Sequence, residues 1–221
     1  MTVGEPAKEK LVIFMIKQSL NLQLPPTYSY ICKKMDNDTL KAVEFLQQGK
    51  IILYPTDTVW GIGCDATCDG AVRNIYSLKR RSDSKSMLVL VDSVEMLSRY
   101  VDELPEEVIE LIEGASRPTT VILPGAKGLA PSLVASDGSV GFRVSRDEFS
   151  AGLCRELGAP VVSTSANISG EPSARNFKEI SAEIKNGVDY VCATRRDDEG
   201  AGTPSRIVKL EPDKTITVIR N

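Results

Sequence analysis

Apolar residues recur along the chain in two patterns, and these patterns predict that helices and strands interleave. Runs of mostly apolar residues bounded by Gly, Pro or charged residues predict buried strands. Such runs cover residues 50–54, 87–91, 119–123, 140–144, 161–164, 189–192, 206–210 and 215–219. Apolar residues three and four positions apart predict helices. The first helix is expected to begin within residues 36–38. The residues expected to begin the others are Asp69, Ser93, Pro105, Asp147 and Asn176. This order is typical of one layered α/β domain with a mixed sheet, which we place at residues 35–221 behind an extension of residues 1–34.

Composition narrows the possible functions. The 221 residues carry 27 Lys and Arg against 30 Asp and Glu, a formal charge of −3, so no overall basic field favours nucleic acid. Histidine is absent, which excludes nucleophiles activated by a Ser-His or Cys-His pair. The five cysteines are an odd number and widely scattered, which indicates core thiols in a reducing cytoplasm. No apolar stretch has the length of a membrane span.

Hydroxyl groups and cations gather between the first two predicted strands. Thr56 and Thr58 follow the first strand, and a later helix ends in four cations, Lys79, Arg80, Arg81 and Lys85. Cations at a helix C-terminus are favoured by the helix dipole and often only face water, so the cluster alone leaves both interpretations open. Together with the two threonines it favours a site for a phosphate or carboxylate ligand.

Later parts of the chain extend this pattern. Hydroxyl residues cluster at 163–167 and 203–205, each beside a predicted strand. Arg143 lies in an otherwise apolar strand, and a buried charge there needs an anionic partner, either a ligand or an internal Asp or Glu. No Gly-rich loop of the dinucleotide-binding or P-loop type is present, so a nucleotide would be held by other means.

The order of these motifs resembles the YrdC family, whose members are L-threonylcarbamoyladenylate synthases. The resemblance covers about residues 37–220. It rests on Tyr54-Pro-Thr-Asp-Thr-Val-Trp-Gly-Ile-Gly63, Lys79-x-Arg81 with Lys85, Pro118-Thr-Thr-Val-Ile-Leu123, Asp137-Gly-Ser-Val-Gly-Phe-Arg143, Ser163-Thr-Ser-Ala-Asn-x-Ser-Gly170 and Pro204-Ser-x-Ile-Val208.

The resemblance implies a short single-domain form of the YrdC-like fold, with a twisted mixed β-sheet flanked by helices and a concave ligand cleft. It implies a nucleotidyltransferase that makes threonylcarbamoyl-AMP and pyrophosphate from L-threonine, bicarbonate and ATP. The product would serve the N6-threonylcarbamoyladenosine modification of tRNA through downstream threonylcarbamoyl-transferase proteins. Mg²⁺ would arrive with ATP, and no site formed by protein ligands alone is expected for a metal.

The resemblance also implies roles for individual residues. The positions that match contacts to L-threonine are Thr58, Arg143, Ser163 and Ser205. The positions that match contacts to ATP are Arg81, Lys85, Ser139, Ser165, Ser173 and Arg220. Lys79 and Arg81 are the expected catalytic cations, which offset phosphate charge. Asn167 is expected to support the loop of Ser165, and Arg80 is expected to face water.

Several positions depart from the family pattern. Lys85-Ser-Met replaces the usual Lys-Pro-Leu, and Leu90 stands where some relatives have a histidine that contacts threonine. Arg206 follows Ser205 in place of a hydroxyl residue, and it would add a cation to the rim of the site.

Two other functions remain open at this point. The family fold is credited with a basic concave face that suits double-stranded RNA, so an RNA-binding module or weak tRNA affinity is an alternative, although the charge of −3 opposes it. A related fold makes a butanone phosphate from ribulose phosphate. That chemistry uses histidine with acid/base carboxylates, and this chain has no histidine.

Overall fold

The computed structural model describes residues 36–81, 87–199 and 202–221, and the predicted extension 1–34 lies outside them. The strands are β1 (Ile52–Tyr54), β2 (Gly61–Gly63), β3 (Leu88–Val91), β4 (Thr119–Leu123), β5 (Val140–Val144), β6 (Val161–Ser165), β7 (Tyr190–Val191), β8 (Arg206–Leu210) and β9 (Ile216–Arg220). The α-helices are α1 (Asn37–Gln47), α2 (Asp69–Leu78), α3 (Val94–Ser98), α4 (Glu106–Gly114), α5 (Glu148–Leu157) and α6 (Ala182–Gly187).

The strands form one sheet in the order β7-β1-β2-β6-β3-β5-β4-β8-β9. The pairs β1–β7, β3–β5 and β4–β8 are parallel and the other pairs are antiparallel, so the predicted mixed α/β sheet is confirmed. One row of paired residues crosses four strands and is almost fully buried: Val89, Phe142, Val121 and Val208. Because side chains alternate along a strand, the residues next to this row lie on the opposite face, where the cleft is found.

Most helix boundaries follow from local chemistry that the sequence shows. Asp36, Ser93 and Asp147 precede α1, α3 and α5, and the side chain of each accepts a hydrogen bond from a backbone N–H of the first turn. Gly158 ends α5 in the left-handed region, at φ 73°, which glycine adopts at no steric cost. Helix α5 packs on α1 and on β3.

Strand β2 was not predicted. The Gly-Ile-Gly sequence has two residues that are depleted in strands, so the stretch after Thr58 suggests only a turn. Here the glycines are needed because neighbours lie very close: a Cβ on Gly63 would be 2.4 Å from the carbonyl oxygen of Val162 and 2.6 Å from the Tyr54 ring. The missing side chains let β2 pair with both β1 and β6.

The single helix predicted after Asn176 is wrong. The structure has a short 3-10 helix at Phe177–Glu179, and α6 begins separately after Ser181. Ile180 is extended between them, at ψ 129°. The Ser181 side chain accepts a hydrogen bond from the backbone N–H of Ile184, so a second N-cap restarts the helix. The apolar spacing after Asn176 also predicts that Phe177, Ile180 and Ile184 face inward. Ile180 and Ile184 are buried, while Phe177 is partly buried.

The cysteines in the described part of the chain agree with the expectation of core thiols. Cys64, Cys154 and Cys192 are buried, Cys68 is partly buried, and all four are free. Burial raises the pKa of the Cys154 thiol to about 12, so this thiol is unreactive at neutral pH. Among the described helices, none combines the length and apolar character that crossing a membrane requires.

Candidate active site

A cleft of about 440 Å³ lies on one face of the sheet. Its walls come from β2, β3, β4, β5, β6, β8 and β9 and from the segments that join them. Nine of the twelve residues proposed from the sequence line it: Thr58, Arg81, Ser139, Arg143, Ser163, Ser165, Ser173, Ser205 and Arg220. They come from positions up to 162 residues apart in the chain, and the fold brings them to one site.

The charge of the cleft is opposite in sign to that of the chain. Four cationic side chains line it, Arg81, Arg143, Lys209 and Arg220, and the described lining residues include no Asp or Glu. The formal charge of the whole chain is −3. A concave, partly apolar site lined by one sign of charge raises the local concentration of ligands of the opposite sign. The cleft is therefore an anion site.

Thr58 presents an oriented hydroxyl to the cleft. The hydroxyl of Thr56 donates to the carbonyl of Val59 at 2.8 Å, so in the 3.0 Å contact between the two threonine hydroxyls the donor is Thr58. Arg143 Nη1 in turn donates to Thr58 Oγ1 at 3.3 Å. Because its one proton is already used, the Thr58 hydroxyl offers an acceptor lone pair to a ligand, which suits an amine or a hydroxyl of the ligand.

Arg143 on β5 is a buried cation with an internal partner. Its side chain is 3% exposed and its Nη2 lies 3.0 Å from Asp57 Oδ1. Of the two partners that the sequence leaves open, an internal carboxylate is present, while Arg143 also lines the cleft where a ligand would bind. Asp57 was missed as a functional residue, although it stands between Thr56 and Thr58 in the first motif.

Ser205 is held from two sides. Its hydroxyl and that of Thr120 are 2.9 Å apart, and its backbone carbonyl accepts hydrogen bonds from Arg220 Nε at 3.1 Å and Nη2 at 2.8 Å. Arg220 therefore has a structural contact in addition to its predicted place at the ATP side of the cleft. Thr120 was not proposed as a site residue, although it belongs to one of the motifs on which the family resemblance rests.

Ser139 belongs to a small polar network at the edge of the cleft. Its hydroxyl donates to Asp137 Oδ1 at 2.6 Å, and Lys209 Nζ lies 3.3 Å from Asp137 Oδ2. Hydrogen bonds from the Ser139 hydroxyl and backbone N–H lower the pKa of Asp137. Lys209 was also missed. Side chains alternate between the two faces of a strand, so Ser205, Ile207 and Lys209 are expected on one face. All three line the cleft, and this alternation would have indicated Lys209.

Lys79 lies beneath the site and is not among the residues that line the cleft. It is 1% exposed, and its Nζ donates to the backbone carbonyls of Ser165 and of Asn167, the latter at 2.6 Å. Burial and, to a smaller extent, the neighbouring Arg81 lower the pKa of Lys79 to about 8. The geometry makes Lys79 a positioning residue for the Ser165 loop, so its predicted direct contact with phosphate stays a prediction.

Asn167 supports the same loop, as its sequence motif suggests. Its side-chain amide donates to the carbonyls of Ile168 and Glu171, both at 2.8 Å. Ser165 and Ser173, on either side of this supported segment, both line the cleft. Lys79 and Asn167 together fix the backbone from which these hydroxyls project.

The cations that follow α2 have different roles. Arg81 lines the cleft, and burial lowers its pKa. Arg80 is exposed, as expected, and it forms an ion pair with Glu183 at 2.6 Å. It does not line the cleft. Lys85 lies outside the described residues, and its predicted contact with ATP stays a prediction.

Of the residues that depart from the family pattern, Met87 lines the cleft, while Leu90 and Arg206 do not. Leu90 is fully buried, pairs in register with Arg143 and does not line the cleft. Arg206 also does not line it, and its Nε is buried without a hydrogen-bond partner in the described structure. The expected extra cation at the rim is therefore supplied by Lys209 and not by Arg206.

Comparison with known sequences gives a consistent result. The model of the Sua5/YciO/YrdC family, described as Telomere recombination, matches residues 44–221. A protein of Idiomarina loihiensis named Threonylcarbamoyl-AMP synthase is 33% identical over 174 residues, which cover 77% of this chain and 92% of the relative. A protein of Xanthomonas euvesicatoria with the same name is 38% identical over 167 residues, which cover 70% of this chain and 86% of the relative.

A solved structure shares the fold. P. abyssi Sua5 complexed with L-threonine superposes with a TM-score of 0.74 and 24% sequence identity. The superposition covers 85% of this chain and 55% of that chain. At this identity the likeness shows the common fold of the two chains.

Proposed function

This chain belongs to the Sua5/YciO/YrdC family, and we propose that it is an L-threonylcarbamoyladenylate synthase. The proposed reaction condenses L-threonine with bicarbonate and joins the resulting carbamate to the AMP part of ATP, releasing pyrophosphate. The observation that carries the proposal is the cationic cleft in an acidic chain. Arg81, Arg143, Lys209 and Arg220 line it, together with an oriented Thr58 hydroxyl.

The cleft offers complementary groups for an amino acid. The cation of Arg143 suits the carboxylate, and the acceptor lone pair of Thr58 suits the amine or the β-hydroxyl. Ser163 and Ser205, 6% and 2% exposed, add hydroxyls that can donate to oxygen. A small pocket with fixed polar groups orients the amine for attack on the carbon of bicarbonate, which loses water to form the carbamate.

The remaining cations suit the second step. A carbamate oxygen attacks the α-phosphorus of ATP and the bond to the pyrophosphate leaving group breaks. This step depends on positioning and on neutralising charge, and it needs no strong side-chain base. A site without histidine is adequate for it. Arg81, Lys209 and Arg220 are the other cations that line the cleft, and they would offset charge on the phosphates.

Mg²⁺ is proposed to enter as the ATP complex. Among the described residues no group of three or more His, Cys, Asp or Glu is placed to hold a metal ion. When bound to ATP phosphates, Mg²⁺ would neutralise part of their charge.

The proposed product constrains the reaction that uses it. A carbamic-phosphoric anhydride is an activated acyl donor, so the next step must transfer the threonylcarbamoyl group to a nucleophile. Transfer to tRNA adenosine by downstream proteins, weak affinity of this chain for RNA, and a cytoplasmic location stay predictions.

Pyrophosphate release from ATP tests the proposed function. We expect release that depends on both L-threonine and bicarbonate, with L-serine a poorer substrate because it lacks the methyl group, which is worth about 1–3 kcal/mol in an apolar pocket. A folded chain that binds ATP and releases no pyrophosphate in the presence of both substrates would contradict the proposal.

A further inference from the structure

A pair of opposite charges, Asp57 and Arg143, lies behind the cleft. Their side chains are 16% and 3% exposed, and Asp57 Oδ1 is 3.0 Å from Arg143 Nη2. In the described structure, however, Asp57 Oδ1, Arg143 Nη2 and Arg143 Nε make no hydrogen bond. The two groups are close enough for strong attraction, but the N–H bonds are not aligned with the carboxylate oxygen.

This geometry is unusual for a buried ion pair. Arg and a carboxylate ordinarily form aligned hydrogen bonds, often two in parallel, and a buried N–H without an acceptor has a free-energy cost. Within the described part of the chain, the guanidinium makes one hydrogen bond, from Nη1 to Thr58 Oγ1 at 3.3 Å. Asp57 therefore holds Arg143 by charge and not by an aligned hydrogen bond, and the Nε and Nη2 atoms of Arg143 are buried.

The loop that carries Asp57 is anchored independently of this pair. Arg195 Nη2 donates to the Thr56 carbonyl at 3.3 Å, and Arg195 Nη1 pairs with Asp147 Oδ1 at 3.0 Å. The Thr56 hydroxyl also accepts a hydrogen bond from the Thr58 N–H at 3.0 Å. Loss of the Asp57 charge therefore leaves the loop with its other attachments, while Arg143 loses its one ionic partner in the described structure.

Asp57 also faces a second cavity, away from the cleft. This cavity, of about 260 Å³, is lined by Asp57 and by residues at the ends of β4 and β5, and it does not include Arg143. Asp57 can exchange a proton there while a ligand occupies the cleft. The charged groups around it are Arg143 on β5, Asp147 before α5 and Arg195 after β7, together with Arg117 and Arg146 on the cavity wall. Burial raises the pKa of Asp57, Arg143 opposes this shift, and Asp147 adds to it.

We propose that Asp57 is a positioning residue for amino-acid recognition: its negative charge holds the Arg143 guanidinium at the cleft wall, where the cation can attract a carboxylate ligand. The inference rests on the proposed function, because it takes the carboxylate of L-threonine as that ligand. Asp57 does not line the cleft, so in this proposal it acts through Arg143 and not by direct contact with a substrate.

The test is a pair of titrations on the full chain, with L-threonine and with ATP, for the wild type, Asp57→Asn and Asp102→Asn. Asp102 is an exposed aspartate in an ion pair with Lys127, so its variant controls for the loss of one charge. We expect Asp57→Asn to weaken L-threonine binding about tenfold and to change ATP binding by less than about twofold. Asp102→Asn should change neither affinity.

A pH series separates positioning from a merely structural role. Protonation of Asp57 removes the same charge as the Asn substitution. The wild-type affinity for L-threonine should therefore fall as the pH is lowered from about 7 toward the ordinary aspartate range near about 4. Asp57→Asn should show a flat profile. The wild-type profile is informative even if the variant does not fold.

The outcomes are distinguishable. Any of three results would overturn the positioning role. They are equal L-threonine affinities in the wild type and Asp57→Asn, an equal loss of affinity for L-threonine and ATP in Asp57→Asn, and a wild-type L-threonine affinity that does not change with pH. A wild-type chain that binds ATP and no L-threonine contradicts the proposed function, and the inference falls with it.

Discussion

At the scale of single residues, neighbours in the sequence have separate tasks. Arg80 and Arg81 are adjacent, but Arg80 pairs with Glu183 at the surface while Arg81 lines the cleft. Lys79, beside them, is buried under the Ser165 loop. The sequence predicts a cluster of cations. It cannot say which of them point inward, because this depends on how the chain leaves α2 after Leu78.

The pair Arg80 and Arg81 gives a matched test. We expect Arg81→Ala to lower kcat/KM for ATP at least tenfold, because a charge-assisted phosphate contact is worth roughly 1.5–3 kcal/mol. Arg80→Ala should change it by less than about twofold, since an exposed ion pair contributes little. Steady-state pyrophosphate release measures both, and equal losses in the two variants would contradict the assignment of Arg81.

At the scale of elements, N-cap residues and hydrophobic periodicity predict most of the helices. The main element that they do not predict is β2, and the close approach of its backbone to neighbouring atoms explains why. Helix α5 begins after Asp147 as predicted, and strands β4, β5 and β8 have their predicted boundaries. β2 was missed because its glycines are required by contacts with β6 and Tyr54, which only the tertiary structure shows. The sequence predicts the hydroxyl-rich turn before β2, but it does not predict the strand that positions this turn.

Two glycines provide a test of that explanation. A Cβ on Gly63 would lie 2.4 Å from a backbone carbonyl oxygen, whereas a Cβ on Gly70 meets nothing within 4 Å. We expect Gly63→Ala to lower the free energy of unfolding by about 1–3 kcal/mol through overpacking. Gly70→Ala, near the start of α2, should be neutral or slightly stabilising. Denaturant unfolding compares the two, and similar values for both would contradict the close-approach argument.

The start of α1 is tied to the segment after β7 by Asp38. Its carboxylate accepts hydrogen bonds from Tyr190 at 2.6 Å and from the Thr194 hydroxyl and backbone N–H. Burial alone would raise the pKa of Asp38, but these hydrogen bonds outweigh burial and lower it. Because the folded pKa is below the unfolded value, the stabilisation is present above the ordinary aspartate pKa and is lost as the pH falls through the lowered one.

We therefore expect Asp38→Asn to cost about 2 kcal/mol near neutral pH and progressively less in acid. Glu44→Gln, at an exposed position of the same helix, controls for loss of charge. Urea unfolding at a series of pH values measures both. A pH-independent difference between the wild type and Asp38→Asn would contradict the role of the ionised carboxylate.

At the scale of the whole molecule, the sequence predicts the class of site but not its complete wall. Separate motifs indicate hydroxyls and cations, and the fold brings nine of the proposed residues into one cleft. Asp57, Thr120 and Lys209 were not proposed, since their roles depend on register and burial across the sheet. The overall charge of −3 also gives no sign that the cleft is positively charged, because the acidic residues lie elsewhere in the chain and outnumber the cations of the cleft.

The most direct test of the central claim is to identify the product formed from L-threonine, isotopically labelled bicarbonate and ATP by mass spectrometry. The account predicts threonylcarbamoyl-AMP that carries the label in its carbamoyl carbon, formed in equal amount with pyrophosphate and absent when any one substrate is omitted. Pyrophosphate formed without L-threonine, or a product without the labelled carbon, would contradict it.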